Sequence, residues 1–245
     1  MTTRKSTPEE IRQRLDRDVE RFSNLETGQS ATVDAPLGLE LIVGAAAAVN
    51  PAAATLLDIG CGAGNYTLKM LESLPLRSVM LVDLSQPMLD RAVQRIRAAD
   101  NELNITAVQS DIRNIALPRD SFDVAVAAAT LHHLRGDAEW QNVFSEVHGS
   151  LKAGGSFWIW DLVTHEPPAL HELMWRRYGE YLTGLKGPDY REQVFGYIEA
   201  EDSPRTLGWQ LDRLRAAGFQ SVEVLHKNTC FAAFGGFKRG SVHGV

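Results

Sequence analysis

The stretch Leu57-Asp58-Ile59-Gly60-Cys61-Gly62-Ala63-Gly64 decides how this chain folds. It begins in a short apolar run, residues 55–59, that is typical of a buried strand. It ends in three glycines, which a helical pattern over residues 65–73 follows. Glycine adopts positive φ easily and lets the backbone approach a ligand closely. The stretch therefore predicts a strand, a tight turn and a helix, with a ligand site at the turn.

The spacing of these glycines differs from the dinucleotide-binding pattern Gly-x-Gly-x-x-Gly, in which the helix N-terminus binds pyrophosphate. Here the third glycine, Gly64, comes one residue early, and Asp58 precedes the turn. A carboxylate repels a phosphate group but attracts an ammonium or sulfonium group. The turn thus favours a cationic nucleoside over a dinucleotide such as NAD.

Apolar runs and helical patterns alternate on the C-terminal side of this turn. The runs cover residues 79–82, 105–108, 122–127 and 156–162. Continuous apolar strands that alternate with helices are typical of a parallel sheet covered on both faces, and so of the α/β class. Residues 219–226 and 230–238 also have strand character, and Lys227-Asn228-Thr229 joins them. Because a parallel crossover needs about a dozen residues, this pair is predicted to be antiparallel.

Two further acids follow the next two apolar runs. Asp83 comes directly after residues 79–82, and Asp111 follows residues 105–108. Because the carboxyl ends of parallel strands meet at one edge of a sheet, Asp58, Asp83 and Asp111 are expected to converge there. One such aspartate alone is usually a helix cap or a loop residue, but three at successive strand ends indicate a ligand site. The carboxylate at the second strand end can accept both hydroxyls of a ribose.

Four motifs together resemble the class I S-adenosylmethionine (SAM) dependent methyltransferases. They are the glycine stretch, Val82-Asp83-Leu84-Ser85, Ser110-Asp111, and Phe122-Asp123 with the later Leu131-His132-His133-Leu134. The resemblance covers residues 37–162 by motif and extends to about residue 238 through a closing helix and two strands. It implies a Rossmann-like, doubly wound sheet of seven strands. The last strand would be antiparallel and inserted between its neighbours.

The resemblance also implies which residues bind SAM. They follow the strand ends and are Asp58, Gly60, Cys61, Gly62, Gly64, Asp83, Leu84, Met88, Asp111, Ile112 and Ala128. Asp58 would lie near the SAM ammonium group, Asp83 would hold the ribose hydroxyls, and Asp111 would flank the adenine. The implied reaction is a direct, in-line displacement of the methyl group that leaves S-adenosyl-L-homocysteine. Holding the reactants in near-attack geometry supplies most of the catalysis.

A general base is needed only where the methyl acceptor must lose a proton. His132 and His133 are candidates because they follow the fourth strand, and imidazole titrates near neutrality. The alternative is that the two rings are structural.

His165 and Tyr178 are further candidates in residues 164–202, a helical insertion rich in tyrosine. This insertion is either a lid over the acceptor or a subdomain that uses its aromatic residues for packing. No metal site is predicted, because Pro167-Pro168 separates His165 from His171 and no closed Cys/His set is present.

Three regions follow from these patterns. Residues 51–163 and 203–240 form the SAM-binding domain, residues 164–202 the helical insertion, and residues 1–50 an N-terminal extension. Thr7-Pro8-Glu9-Glu10 begins an amphipathic helix with a capping box, and apolar residues repeat at helical spacing as far as Phe22. This helix either closes over the site or mediates a dimer. A further helix is predicted from Asp34-Ala35-Pro36 to Asn50, and Ser203-Pro204 is predicted to begin the helix that Gly218 ends.

The composition excludes several classes of function. The chain has 245 residues, of which 44% are hydrophobic, a net charge of −6 and two cysteines. An acidic surface repels phosphate backbones, so extended nucleic-acid binding and RNA methylation are disfavoured. The longest apolar run, residues 41–49, is too short to span a bilayer. No signal-peptide pattern is found, so a cytoplasmic enzyme acting on a small-molecule acceptor is expected.

Two alternatives stay open. One is a SAM-modifying enzyme related to the carboxy-SAM synthases, to which Arg21-Phe22-Ser23-Asn24 and residues 214–219 are faintly similar. The stretch that would hold the carboxylate-binding arginine of that branch, residues 197–202, is acidic instead. The other is a non-catalytic SAM-binding protein, against which the intact acids and glycines argue.

Overall fold

A seven-stranded sheet forms the centre of the computed structural model, which describes residues 4–24 and 29–240. The strands are β1 (Thr55–Ile59), β2 (Ser78–Asp83), β3 (Asn104–Gln109), β4 (Phe122–Ala128), β5 (Leu151–Leu162), β6 (Gln220–Asn228) and β7 (Phe231–Phe237). Their order is β3-β2-β1-β4-β5-β7-β6. Strands β1 to β5 pair in parallel, and β7 runs antiparallel to both β5 and β6. The predicted α/β fold, with an antiparallel last strand inserted between its neighbours, is confirmed.

Helices cover both faces of this sheet. They are α1 (Pro8–Leu15), α2 (Val19–Ser23), α3 (Ala35–Val49), α4 (Asn65–Leu71), α5 (Gln86–Ala99), α6 (Asp137–Ser150), α7 (Pro168–Lys186), α8 (Pro188–Glu201) and α9 (Leu207–Ala216). Successive side chains of a strand point to opposite faces. Accordingly, Leu56 joins the core beneath α3, α4 and α5, whereas Leu57 joins the core beneath α6 and α9. Among the described residues, no helix has the length and apolarity needed to cross a membrane.

The N-terminal helix differs from its prediction. The capping box is present, since Thr7 Oγ1 accepts from Glu10 N and the Glu10 carboxylate accepts from Thr7 N. A single helix as far as Phe22 was expected, but the structure has two, α1 and α2, with a break between them. Asp16 forms the C-cap of α1, and its carboxylate accepts bonds from Arg12 and from Ser85 Oγ at 2.6 Å. This contact with the start of α5 fixes the break, so the single-helix prediction is wrong.

Two boundaries near the C-terminal half also differ. Helix α9 begins at Leu207 and is capped by Thr206, whose hydroxyl accepts from Trp209 N. The predicted cap, Ser203, instead donates its backbone N–H to the carbonyl of His132 at 2.7 Å. Strand β5 begins at Leu151 rather than at residue 156, because Leu151 pairs with Phe122 ahead of an irregularity in the β4–β5 register. These differences leave the topology unchanged.

Candidate functional site

A cavity lies at the carboxyl ends of β1, β2 and β4. The strand order reverses between β1 and β4, and ligands of open α/β sheets bind at such a reversal. Most residues assigned from the sequence line this cavity: Asp58, Gly60, Cys61, Gly62, Asp83, Leu84, Met88, Asp111, Ile112, Ala128 and His133. The expected convergence of the three aspartates at one site is therefore observed.

Glycine is required at each of the three positions of the turn for a different physical reason. At Gly60, φ is +63°, and a Cβ atom would lie 1.9 Å from Thr130 Oγ1. At Gly62, φ is +49° and a Cβ atom would meet nothing within 4 Å, so the backbone there faces open cavity. Gly64 has φ +81° and packs against Ala92 of α5, where a Cβ atom would lie 3.2 Å away. Gly64 does not line the cavity, so its role is packing of the helix rather than ligand contact.

Asp58 and Asp83 are buried carboxylates on neighbouring strands. Asp58 accepts a bond of 2.6 Å from Thr67 Oγ1, and burial raises its pKa to about 6. Asp83 accepts from the backbone N–H of Gly62 at 2.8 Å and from that of Ser85 at 2.9 Å. Burial also raises the pKa of Asp83, against these two bonds. Because a carboxylate has about four lone-pair sites, both oxygens of Asp83 keep capacity for further donors.

The third aspartate is arranged differently. Asp111 follows β3 and caps a short 3₁₀ helix, Ile112–Asn114. Burial acts to raise its pKa, but bonds from the Arg113 side chain outweigh burial and lower it. Arg113 also lines the cavity, and its guanidinium approaches Glu139 at 3.6 Å. Asp111 therefore stays charged, and Arg113, which no sequence pattern singled out, already occupies one face of its carboxylate.

The N-terminal segment (the cover) forms part of the cavity wall, and the carbonyl of Phe22 accepts a bond of 3.0 Å from Asn65 Nδ2, directly after the glycine turn. Ile11, Leu15 and Phe22 of α1 and α2 supply apolar lining, together with Gln29. Arg14 holds this cover in place through bonds of 2.7 and 2.5 Å to the Glu201 carboxylate at the end of α8. Lys5 donates to the carbonyls of Glu199 and Asp202. The cover therefore contacts both the C-terminal end of the insertion and, through Asp16 and Ser85, the start of α5.

The two histidines after β4 lie in an acidic environment. His133 lines the cavity, whereas His132 lies behind it with Nδ1 bonded to the Asp161 carboxylate. Burial acts to lower the pKa of His132, but Asp202 and Asp161 raise it to about 9. Such an imidazolium has no lone pair to take a proton at neutral pH, so His132 is unsuited to act as a base. His133 Nδ1 lies 3.1 Å from Asp202 Oδ1.

The other two candidate catalytic residues lie away from the cavity. Tyr178 is buried, donates its hydroxyl to Ala31 O at 3.0 Å, and packs edge-on against Phe231. Burial raises its pKa above the ordinary value, so the phenol is a poor acid and a poor base. His165 lies in a separate surface groove, where its Nε2 is 3.0 Å from Lys227 Nζ. The structure thus brings neither residue to the Asp58–Asp83–Asp111 site.

Sequence reasoning missed three polar residues of the site. Asp161 interrupts the buried run Trp158-Ile159-Trp160 of β5, and an acid within such a run was a readable signal. Asp202 and Arg113 carried no comparable signal, because their partners are distant in sequence or contacted only through the local turn. Cys61 lines the cavity, but burial raises its thiol pKa, which disfavours a nucleophilic role.

The strand order, the glycine turn and the acids at three strand ends define a Rossmann-like fold of the methyltransferase type. Residues 56–155 match the family model described as a methyltransferase domain. The part of the chain that carries the glycine turn and the strand-end acids is therefore similar to a methyltransferase domain, in agreement with the resemblance to the SAM-dependent methyltransferases.

Individual relatives agree with this assignment. The chain is 27% identical over 186 residues to the carboxy-S-adenosyl-L-methionine synthase of Hydrogenovibrio crunogenus, a match covering 73% of this chain and 71% of that protein. It is 31% identical over 120 residues to an uncharacterized methyltransferase of Mycobacterium bovis, covering 49% of this chain and 55% of that protein. Human N-acetylserotonin methyltransferase, solved in complex with SAM, aligns with a TM-score of 0.57 at 18% identity. That alignment covers 96% of this chain and 57% of the human protein, and it supports the fold.

Proposed function

We propose that this protein transfers the methyl group of SAM to a small-molecule acceptor held between the sheet edge and the N-terminal cover. The observation that carries the proposal is the single cavity lined by Asp58, Asp83 and Asp111 together with the open backbone at Gly62. Two of these carboxylates are buried, and buried charge is stabilised by a cationic ligand or by hydroxyl donors. SAM supplies both, through its ammonium and sulfonium groups and its ribose.

Each acid has a distinct role in this proposal. Asp58 faces the methionyl ammonium, Asp83 accepts the ribose hydroxyls, and Asp111 with Ile112 flanks the adenine. Ala128 then faces the sulfonium from the end of β4. An acceptor lone pair attacks the methyl carbon in line, the carbon–sulfur bond breaks, and sulfur keeps the bonding electrons as S-adenosyl-L-homocysteine leaves. The enzyme contributes mainly position and exclusion of water.

The acceptor side of the cavity indicates a small and partly apolar substrate. Its walls include Ile11, Leu15, Phe22 and Leu134, with His133 as a polar group. We propose that residues 4–24 are the cover and that the insertion holds it shut. Trp175 of α7 and Phe195 of α8 stack with their ring centroids 4.9 Å apart, which supports the interpretation that residues 164–202 use their aromatic residues for packing. The contacts to Arg14 and Lys5 come from the end of α8 and the residue after it.

Ligand binding to the Asp83→Asn variant tests the cofactor site. SAM and S-adenosyl-L-homocysteine should raise the melting temperature of the wild-type protein, whereas NAD should not. Asp83→Asn should weaken SAM binding at least tenfold, because it replaces a charged acceptor for two hydroxyls by a neutral amide. Affinity is measured by calorimetry. Asp90→Asn, at an exposed position of α5, is the matched control and should bind like wild type.

Two results would contradict this proposal. No thermal shift with either SAM compound would remove the cofactor assignment. Equal SAM affinity of the Asp83 and Asp90 variants would place the ribose elsewhere. For the acceptor, pools of metabolites are screened for release of S-adenosyl-L-homocysteine. A non-catalytic SAM-binding protein would bind the cofactor and release nothing from any pool.

A second candidate function is formation of carboxy-SAM, which the match to the Hydrogenovibrio crunogenus synthase favours. The charges near the cavity favour methyl transfer instead. Asp202 stands beside His133 at the cavity wall, and Arg14 is already paired with Glu201, so a carboxylate added to the methyl carbon would meet negative charge. Mass spectrometry of the nucleoside that copurifies with the protein separates the two activities. Carboxy-SAM in the native protein would favour the synthase.

A further inference from the structure

A cluster of three metal-binding side chains lies at the wall of the cavity. His132, His133 and Asp202 each offer one ligand atom, and these atoms all lie within 4.8 Å of one another. Asp202 Oδ1 is 3.1 Å from His133 Nδ1 and 3.7 Å from His132 Nε2. Zn–N and Zn–O bonds of about 2.1 Å at tetrahedral angles place ligand atoms about 3.4 Å apart. The observed separations lie on either side of that value.

The surroundings of His132 are those of a ligand histidine. Metal-binding histidines almost always donate their second ring N–H to a carboxylate or a carbonyl, which fixes the ring and its tautomer. His132 Nδ1 bonds to Asp161, whose side chain is fully buried, and this leaves Nε2 directed toward Asp202, where a metal ion would displace the proton that Nε2 carries in the free protein. Asp161 also accepts the backbone N–H of His132 at 3.0 Å, so two bonds hold the ring.

A bound cation would also give the buried Nδ1 atom of His133 a partner. Its Nδ1 is buried and lacks a hydrogen-bond partner among the described residues, although a carboxylate oxygen lies 3.1 Å away. The local charge favours a cation as well. Asp161, Asp202 and Glu201 bring three carboxylates to this region, and of these three Glu201 is the one that forms an ion pair with Arg14. Lys5 donates to main-chain carbonyls there, and thus two carboxylates lack an arginine or lysine side chain as ion-pair partner.

We propose that His132, His133 and Asp202 bind a divalent transition metal of the Zn²⁺ type, with Asp161 orienting His132. Two imidazoles and one carboxylate suit Zn²⁺ or Co²⁺ better than Mg²⁺, which prefers oxygen ligands. Three protein ligands leave a fourth position open, as in catalytic metal sites. Because His133 is itself part of the cavity wall, this position lies beside the proposed acceptor space.

Titration with Co²⁺ and Zn²⁺ after chelator treatment of the full chain tests the proposal. One equivalent of Co²⁺ should bind with visible absorption bands of a four-coordinate site, and Zn²⁺ should displace it. Asp161→Asn should weaken Co²⁺ affinity about 10–100-fold. His132→Gln and Asp202→Asn should each weaken it at least 100-fold. His226→Gln is the matched control, because His226 also pairs with an aspartate, Asp34 at 2.9 Å, away from the cluster.

Asp202→Asn alters a buried charge and can disturb folding, so His133→Gln at the cavity wall serves as a second variant, with circular dichroism as the folding check. Folded wild-type protein that shows no Co²⁺ bands, or bands that persist unchanged in the His132 and His133 variants, would overturn the site. So would Mg²⁺ binding there as tightly as Zn²⁺. SAM affinity is measured on the same samples. Metal binding without SAM binding would contradict the proposed function alone, and SAM binding without metal would contradict this inference alone.

Discussion

The two sides of the cavity are held together by contacts of different range. On the glycine-turn side, neighbouring strand ends are joined by bonds such as Gly60 N to Val82 O at 2.7 Å and Gly62 N to Asp83 Oδ2 at 2.8 Å. On the cover side, the bond between Arg14 and Glu201 joins residues 187 positions apart. The first side is part of the sheet, whereas the second is joined both to the start of α5 and to the end of α8, which lies far along the chain.

The cover buries fewer apolar side chains than the glycine-turn side does, and this difference affects how easily each side unfolds locally. Helix α1 buries Ile11, and α2 buries none of its residues. Segments with few buried apolar contacts open at a lower free energy than the core does. We therefore expect the cover to open at a lower free energy than the sheet and the glycine turn. Variants that act on one side alone test this division.

The largest effect is expected at Gly60. Gly60→Ala would place a Cβ atom 1.9 Å from Thr130 Oγ1 at a positive φ, so both a clash and backbone strain follow. We expect a loss of about 3 kcal/mol in the free energy of unfolding, measured with urea. Gly62→Ala shares the positive φ but meets open space, and it should lose about 1 kcal/mol. Equal losses would show that the contact with Thr130 is unimportant.

A smaller effect is expected on the cover side. Arg14→Gln leaves the Glu201 carboxylate, which is 7% exposed, without its arginine. Breaking a buried pair costs about 3–5 kcal/mol, and partial exposure of Arg14 reduces this to about 2 kcal/mol. Hydrogen exchange at the amides of α1 should become faster while exchange in β1 and β2 is unchanged. Arg17→Gln, at an exposed position of the next turn, is the control. Faster exchange throughout the sheet would mean that the two sides are not separable.

The smallest effect is expected at Asp58, where a mutation should raise the stability of the protein rather than lower it. The pKa of Asp58 is raised to about 6 by burial, so the fold favours its protonated form. The stability that this group contributes at low pH is lost as pH rises from about 4 to about 6. At pH 8, Asp58→Asn should therefore raise the stability of the free protein by about 1 kcal/mol, or about 2–4 °C in melting temperature.

The same variant should bind SAM more weakly, because it lacks the charge that faces the ammonium. In the wild type, SAM affinity should fall as pH drops below about 6, where Asp58 becomes protonated. Calorimetry across this pH range measures the effect, and the Asp58→Asn variant serves as the pH control. A variant that is less stable than wild type at pH 8 would show that the bond to Thr67, rather than burial, dominates this position.

The same division explains which parts of the molecule could be predicted. Asp58, Asp83 and Asp111 were readable because parallel strands bring their carboxyl ends together whatever the rest of the chain does. The cover was not readable, since the helix break at Asp16 depends on Ser85, and the position of Arg14 depends on Glu201. Local pattern cannot specify a partner that lies many residues away. Tyr178 was selected from the sequence as a candidate catalytic residue, but the structure shows that it packs. The sequence context of an aromatic residue is the same in both cases, so it cannot distinguish a packing role from a catalytic one.

The contact between Arg14 and Glu201 has a consequence for the order in which the protein is made. Chains leave the ribosome from the N-terminus, and domains begin to fold during synthesis. Arg14 emerges 187 residues before Glu201, when the first strand has not yet been translated. Strands β1 to β5 all precede α8 in the chain and are therefore synthesised before it. Helix α1 thus cannot form its contact with Glu201 until α8 has been synthesised.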